Sequence, residues 1–302
     1  MNAPGDRTRK LGRTDLDVCR LGIGGGNALS AHDLEYAVSR GVNYLFTSTD
    51  LHAATYRNSW PAFDRLARSP VRKSLTIVAC SYVNDPEKLL GVLMDQLLAL
   101  RLDYVDVFQW GWVTKASDPH ALLRDADSVM RGPMSRNIVS SMAGVARQVG
   151  SELQRRGYAR YLAISTHDRS IARQLVDDER VDILMIRYNI AHRGAEAEIF
   201  PYADAAARPG IVAFNTAHDQ NGMLSRPPAD LPTGKFVPTV PHLYRYCLDH
   251  PMVDVVLSGP GTRAELDEGL LALDMPPLDE RMVNYLRKYG DLHAGKVSVG
   301  NG

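Results

Sequence analysis

The residues that can move protons near neutral pH come together in one short stretch. TDLHAATYRN carries Asp50, His52 and Tyr56 within seven positions. A histidine two residues from a carboxylate is an acid–base pair by type, because imidazole is the side chain that titrates near neutrality. A tyrosine hydroxyl is a proton donor once its pKa, near 10 unperturbed, is matched to its task. The plain alternative for His52 is a loop histidine in water. Three further stretches hold polar groups after apolar runs. STHDR places His167 one residue past Thr166, as a catalytic group or a helix-entry hydrogen bonder. IRYNIAHRGAE gathers Arg187, Asn189, His192 and Arg193; an arginine there anchors a carboxylate or phosphate, or pairs with Glu196 or Glu198. TAHDQNG carries His218 and Asp219. Finally, DYVDVFQWGWV sets Trp110 and Trp112 around Gly111, an aromatic wall for an apolar or cyclic substrate. Strand alternation also permits both indoles to face away into the core.

These groups need a scaffold. Eight short runs rich in Val, Ile and Leu recur along the chain: RLGIGG (20–25), VNYLFT (42–47), LTIVAC (75–80), YVDVFQ (104–109), YLAIST (161–166), DILMIRY (182–188), IVAFN (211–215) and DVVLSG (254–259). Between them lie amphipathic stretches of helical period. AHDLEYAVSRG (31–41) follows Ser30 and stops at Gly41, and PEKLLGVLMDQLLALR (86–101) opens on a proline. Eight such alternations predict an α/β fold, a (β/α)8 TIM barrel, over one domain spanning 1–302. A doubly wound open sheet ranks lower, because LGIGGGN lacks the wider glycine spacing of a dinucleotide-binding turn. The opening RKLGRTDLDVCR reads as a β-hairpin turning at Thr14-Asp15. The connection from Thr114 to about Ser140 is a long insertion after strand four and a candidate lid over the catalytic face.

Composition narrows the function classes. The chain has 302 residues, 45% apolar, 23% charged and of zero net charge. That balance argues against nucleic acid or a membrane surface as partner. No apolar run reaches the ~20 residues of a membrane helix, and MNAPGDRTRK has no signal-peptide core. Cys19, Cys80 and Cys247 read as buried, reduced thiols of a cytoplasmic protein. No CxxC or HxxxH spacing points to a metal. The expected partner is a small-molecule substrate, with the protein a monomer or weak homo-oligomer.

Several segments, in order, resemble the aldo/keto reductase family: RKLGRTDLDVCRLGIGGGN, GVNYLFTS, LRLDYVDVFQ, ELQRRGYARYLAIST, FPYADAAARPGIVAFNTAHDQNGML and DHPMVDVVLSGPGTRAELDEGLLAL. The resemblance implies hydride transfer from NADP(H) to a carbonyl. It also implies a tyrosine proton donor, a lysine that lowers its pKa, an aspartate holding the lysine and a histidine orienting the carbonyl. In this sequence those roles fall on Phe46 for aspartate, Leu51 for tyrosine, Ser81 for lysine and Gly111 for histidine. A shifted alignment offers Asp50 and Tyr56 as the acid pair and supplies no lysine. On the cofactor side, Ser165 matches the residue holding the nicotinamide amide and Phe214 the aromatic stacking on its ring. Thr166 and Met185 stand where asparagine and glutamine are usual. Leu224 lies in NGMLS (221–225), which resembles the pyrophosphate loop. Gly259, Arg263 and Glu268 remain of the adenosine-binding pattern, with Arg263 suited to a 2′-phosphate.

The expectation is a divergent, NADP(H)-linked oxidoreductase with a relocated proton donor drawn from His52, Tyr56 or His167. It would act on a small apolar or cyclic carbonyl or imine in a pocket opened at Gly111. The alternatives are a non-redox cyclase, lyase, dehydratase or isomerase on the same barrel, or a barrel kept as a non-catalytic regulatory subunit.

Overall fold

The computed structural model describes residues 7–85, 88–124, 157–203, 207–219 and 222–295. Eight parallel strands close into a barrel: β3 (Leu21–Gly24), β4 (Tyr44–Ser48), β5 (Thr76–Ser81), β6 (Val105–Trp110), β7 (Ala159–Thr166), β8 (Ile183–Arg187), β9 (Gly210–Phe214) and β12 (Val255–Ser258), with β12 pairing back onto β3. Each lies within about two residues of an expected apolar run. The register confirms closure: Val256 pairs with Leu21 and Val255 with Val212.

Period-2 alternation splits each strand between two cores. Tyr44, Phe46, Val78, Cys80, Val107, Ala163, Met185, Val212 and Val255 fill the barrel interior. The alternate residues, among them Leu45, Ile77, Phe108, Ile164 and Leu184, pack outward under the helices. Buried carboxylates fix the strand entrances. Asp106 accepts from the Ile77 amide and from Arg72 at 2.8 Å. Asp254 takes both Arg208 nitrogens at 2.6 Å and the Ile211 amide.

The expected hairpin is present as β1 (Thr8–Lys10) and β2 (Asp17–Cys19), paired antiparallel. Its turn residues Leu11 and Leu16, with Val18, join the interior core, so the hairpin plugs the end of the barrel where the strands begin. Gly12 makes this possible. It sits at φ +52°, and a Cβ there would lie 2.2 Å from the Gly210 amide nitrogen, an approach only glycine permits.

Helix α1 (Ala31–Ser39) starts at Ser30, whose side chain accepts the Asp33 amide, an N-cap of the expected kind. Two short helices after β4, α2 (Ala53–Tyr56) and α3 (Trp60–Ala67), place the Asp50–Tyr56 stretch at the opposite end from the hairpin. Helix α4 (Leu89–Leu100) follows β5, and α5 (Pro119–Arg124) is the described part of the insertion after β6. The rest of the candidate lid, 125–140, and the helix expected before Gly157 lie outside the described residues. Helix α6 (Arg169–Leu175), the single turn α7 (Ala195–Glu198), α8 (Val240–Asp249), α9 (Arg263–Asp274) and α10 (Glu280–His293) complete the outer layer. The two-residue strands β10 (His218–Asp219) and β11 (Gly222–Met223) form a small ribbon after β9. Among the described residues no helix is long and apolar enough to cross a membrane, and no three His, Cys, Asp or Glu cluster as a metal site would require.

Candidate active site

In a parallel barrel the loops at the carboxyl ends of the strands form the functional face. A cavity of about 460 Å³ opens there, lined by residues from β3, β4 and its following loop, β6, β7, β8, β9 and β12, and by the residue after β5. Its polar groups include His52, Tyr56, Tyr82, Gln109, Ser165 and His167, and its aromatic surface includes Phe46, Trp112 and Phe214. Of the sequence candidates, His52, Tyr56, His167, Ser165, Phe214, Gly259 and Trp112 therefore come together.

Tyr56 descends from α2 to lie 5.9 Å, ring to ring, from Phe46. Burial, with Cys80 beside it, pushes its hydroxyl well above the ordinary tyrosine range. Tyr82 stands next to it. It belongs to the inward series Val78, Cys80, Tyr82 that continues past the end of β5. Its hydroxyl interacts with the Tyr56 hydroxyl and the Cys80 thiol, and burial raises its pKa further still. His52, exposed at the rim, meets the Tyr82 ring edge-on at 5.0 Å.

Gly111 does not enlarge the pocket. A Cβ there would lie 2.7 Å from both Cys80 Sγ and the Tyr82 ring. The space a side chain at 111 would take is filled by Tyr82. Sequence reasoning missed Tyr82 although the signal was present, two residues past Cys80 on the inward face. A glycine on the neighbouring strand end is the room a large ring needs.

Asp50 is corrected from catalytic residue to loop clamp. Its oxygens accept from the Ser48 and Ser81 hydroxyls and the Leu51 and Tyr82 amides, at 2.6–3.0 Å. These bonds bind the end of β4 to the end of β5 and leave the Asp50–His52 pair unformed. Trp110 faces outward and is fully buried against Phe108, ring centroids 5.5 Å apart. It is a core residue; only Trp112, in the left-handed region at φ 55°, reaches the cavity.

Asn189 is likewise structural. It donates to the Asn215 and His218 carbonyls and accepts from the Ala191 and His192 amides. Arg187 ends β8 beside the cavity, in a small cleft with His167, Arg169 and His192. Its charge joins burial in holding His167 below the ordinary histidine pKa. His167 packs edge-on to Phe214 at 4.8 Å, so a neutral imidazole and an aromatic face form one wall. Arg193 pairs with Asp291, and Glu196 with Arg287.

The cofactor-side candidates divide. Ser165 faces inward, whereas Thr166, one step on, faces out: its hydroxyl donates to the Val113 carbonyl at 2.7 Å and anchors the loop after β6. Leu224 is buried in the outer core. Arg263 gives two nitrogens to Asp33 Oδ1 at 2.8–2.9 Å and lies over the Tyr36 ring. Glu268 is partly buried in the middle of α9, near Tyr244. Gln109, inward on β6, lines the cavity and was not foreseen.

No family model and no curated protein matches the sequence. Solved structures do. The chain superposes on the aldo-keto reductase AKR11C1 from Bacillus halodurans with a TM-score of 0.70 in its holo form, at 20% identity, covering 94% of this chain and 96% of that one. The apo form gives 0.69 at 19% identity, over 94% and 95%. A thermostable aldo-keto reductase in complex with the inhibitor epalrestat gives 0.65 at 19% identity, over 93% and 99%.

The fold is that of the aldo-keto reductases.

On this scaffold a nicotinamide would meet groups that suit it. Phe214 offers an aromatic face steadied by His167, and Ser165 offers a hydroxyl beside it. Gly259 lines the cavity, and its carbonyl accepts from Asn27 Nδ2 at 2.6 Å. At the far end Arg263 already shares its charge with Asp33.

Proposed function

We propose that the protein is an aldo-keto reductase-like oxidoreductase, NADP(H)-linked, that reduces a small apolar or cyclic carbonyl or imine with a relocated proton donor. The observation that carries this reading is that Tyr56 and Tyr82 line the same cavity as Ser165 and Phe214. When bound, the nicotinamide would supply hydride to the substrate carbon. Ser165, Phe214 and Gly259 would hold its ring end, and Arg263 would reach the phosphate end by giving up its bonds to Asp33.

The residues of this chain then manage the proton. The Tyr56 hydroxyl donates a hydrogen bond to the carbonyl oxygen and passes its proton as negative charge develops there. No lysine lines the cavity among the described residues to lower the tyrosine pKa. An alkoxide is a stronger base than even a buried tyrosinate, so the transfer remains downhill. Tyr82 stabilises the transient tyrosinate by donating to it, a hydrogen bond to the charged form. His52 stands exposed at the rim against the Tyr82 ring, and solvent entering the cavity returns the proton to Tyr56. His167, held neutral, shapes the wall and accepts a hydrogen bond without adding charge. Trp112, Phe46 and Phe214 give the cavity its preference for apolar rings.

The missing lysine also favours a second reading, a non-redox cyclase, lyase, dehydratase or isomerase acting in the same cavity. One measurement separates the two. Fluorescence titration of the purified protein with NADPH, with NADH beside it, is expected to show micromolar binding that favours NADPH. Absence of binding of either up to millimolar concentration overturns the redox reading and leaves the cofactor-free one.

A further inference from the structure

Gln109 is the group in the cavity that the proton chemistry leaves unexplained. Its side chain is about 1% exposed. Its amide nitrogen donates to Met185 Sδ at 3.4 Å and Cys80 Sγ at 3.7 Å. A thioether can only accept a hydrogen bond, so Met185 fixes which way the amide faces. The amide oxygen is then left over: Oε1 is buried and has no hydrogen-bond partner. Leaving such an acceptor unsatisfied costs about 1–3 kcal/mol, and the residue lines the cavity where a ligand would sit.

The surroundings define what would satisfy it. Tyr56 is the donor toward a substrate oxygen, whereas Gln109 Oε1 is an acceptor on the inward face of β6. The walls between them are aromatic. A ligand that pairs with both carries an acceptor and a donor close together on an apolar ring.

We infer that the substrate is a cyclic carbonyl compound bearing a hydroxyl or N–H next to the carbonyl, with Gln109 Oε1 accepting from that donor. The identity of the reacting group rests on the carbonyl-reduction reading; the demand for a neighbouring donor rests on Gln109.

The test uses three probes of one ring size: 2-hydroxycyclohexanone, 2-methoxycyclohexanone and cyclohexanone. Their affinities are measured by ligand-observed NMR on the full chain, with and without saturating NADPH, for wild type and Gln109→Leu. Wild type is expected to bind the hydroxyketone about tenfold to a hundredfold more tightly than the other two, the size of one buried hydrogen bond. Gln109→Leu is expected to bring the three within about twofold. The methoxy probe, larger than the hydroxyketone, and cyclohexanone, smaller, both lack the donor, so the wild-type series is decisive even if the variant fails to fold.

Equal affinities in wild type, or no binding of any probe in either condition, overturn the inference. So does a Gln109→Leu protein that keeps the discrimination and loses NADPH affinity, since the oxygen would then serve the cofactor. Failure here with NADPH bound leaves the redox reading standing. Discrimination without NADPH binding keeps the inference about the donor and removes the redox step.

Discussion

Tyr82 owes its place to Gly111. An aromatic ring at the end of β5 needs room on the neighbouring strand end, and a residue with no side chain supplies it. The opened position thus delivers a second hydroxyl to the cavity. Neither tyrosine has a cation to lower its pKa, and burial keeps both protonated across the physiological range. Tyr56→Phe and Tyr82→Phe are each expected to lower kcat for ketone reduction by about 10²–10⁴, the usual worth of general acid catalysis. Because the folded pKa of Tyr56 lies above 10, the wild-type rate should show no loss from its ionisation between pH 6 and about 10. Steady-state kinetics across that range checks both; wild-type rates in both variants remove the pair as donor. At this scale residue type suggested His52 and a shifted family alignment suggested Tyr56, and the structure brings both to one cavity. Sequence reasoning misread Asp50 and Trp110, because type and spacing do not reveal which hydrogen bonds or which core a side chain will join.

The strand ends interlock as elements. Asp50 ties β4 to β5 through the Ser81 hydroxyl and Tyr82 amide, the Gly111 amide donates to the Ser81 carbonyl at 2.7 Å, and Asn84 reaches the Gly111 carbonyl at 3.2 Å. Overpacking this junction has a predictable cost. Gly111→Ala puts a methyl 2.7 Å from Cys80 Sγ and the Tyr82 ring, and is expected to destabilise by about 1–3 kcal/mol. Equilibrium urea unfolding measures it, and a Gly111→Ala protein as stable as wild type would mean that Tyr82 moves aside freely. The strands themselves were readable, since each is a short run apolar on both faces. Alternation adds only that residues two apart share a face. What alternation withholds is the identity of the neighbour across the barrel. Thr166 shows the limit at one-residue resolution: a step beyond Ser165, it turns outward and holds a loop.

Across the whole molecule, three partly desolvated histidines contribute to the response to acid. Burial lowers the pKa of His167, His242 and His250 below the ordinary 6.5, with Arg187 adding to the effect at His167. At His250 Glu196 opposes the shift and Arg287 adds to it. A depressed histidine pKa means that the unfolded chain binds more protons than the folded one just below pH 6.5. Stability therefore rises with pH in that window, is complete above it, and is lost as pH falls through 6.5 toward the folded values. The urea midpoint is expected to be lower at pH 5.5 than at pH 7.5. His250→Phe, which keeps the packing against Phe200 and Tyr188, should weaken that dependence; an unchanged pH profile would show that His250 contributes nothing to it.

The sequence by itself determined the barrel and its N-terminal hairpin, because strand period and turn chemistry are local properties. Closure of β12 onto β3 was implied by the count of runs alone. Only the tertiary structure decided which side chains furnish the cavity. It set Tyr82 into the space beside Gly111, drew Asp50 into the β4–β5 junction, paired Arg263 with Asp33 and left Gln109 Oε1 unsatisfied in the cavity. Those outcomes depend on side chains from different strands competing for one volume and one set of hydrogen bonds, and such competition exists only once the strands are side by side.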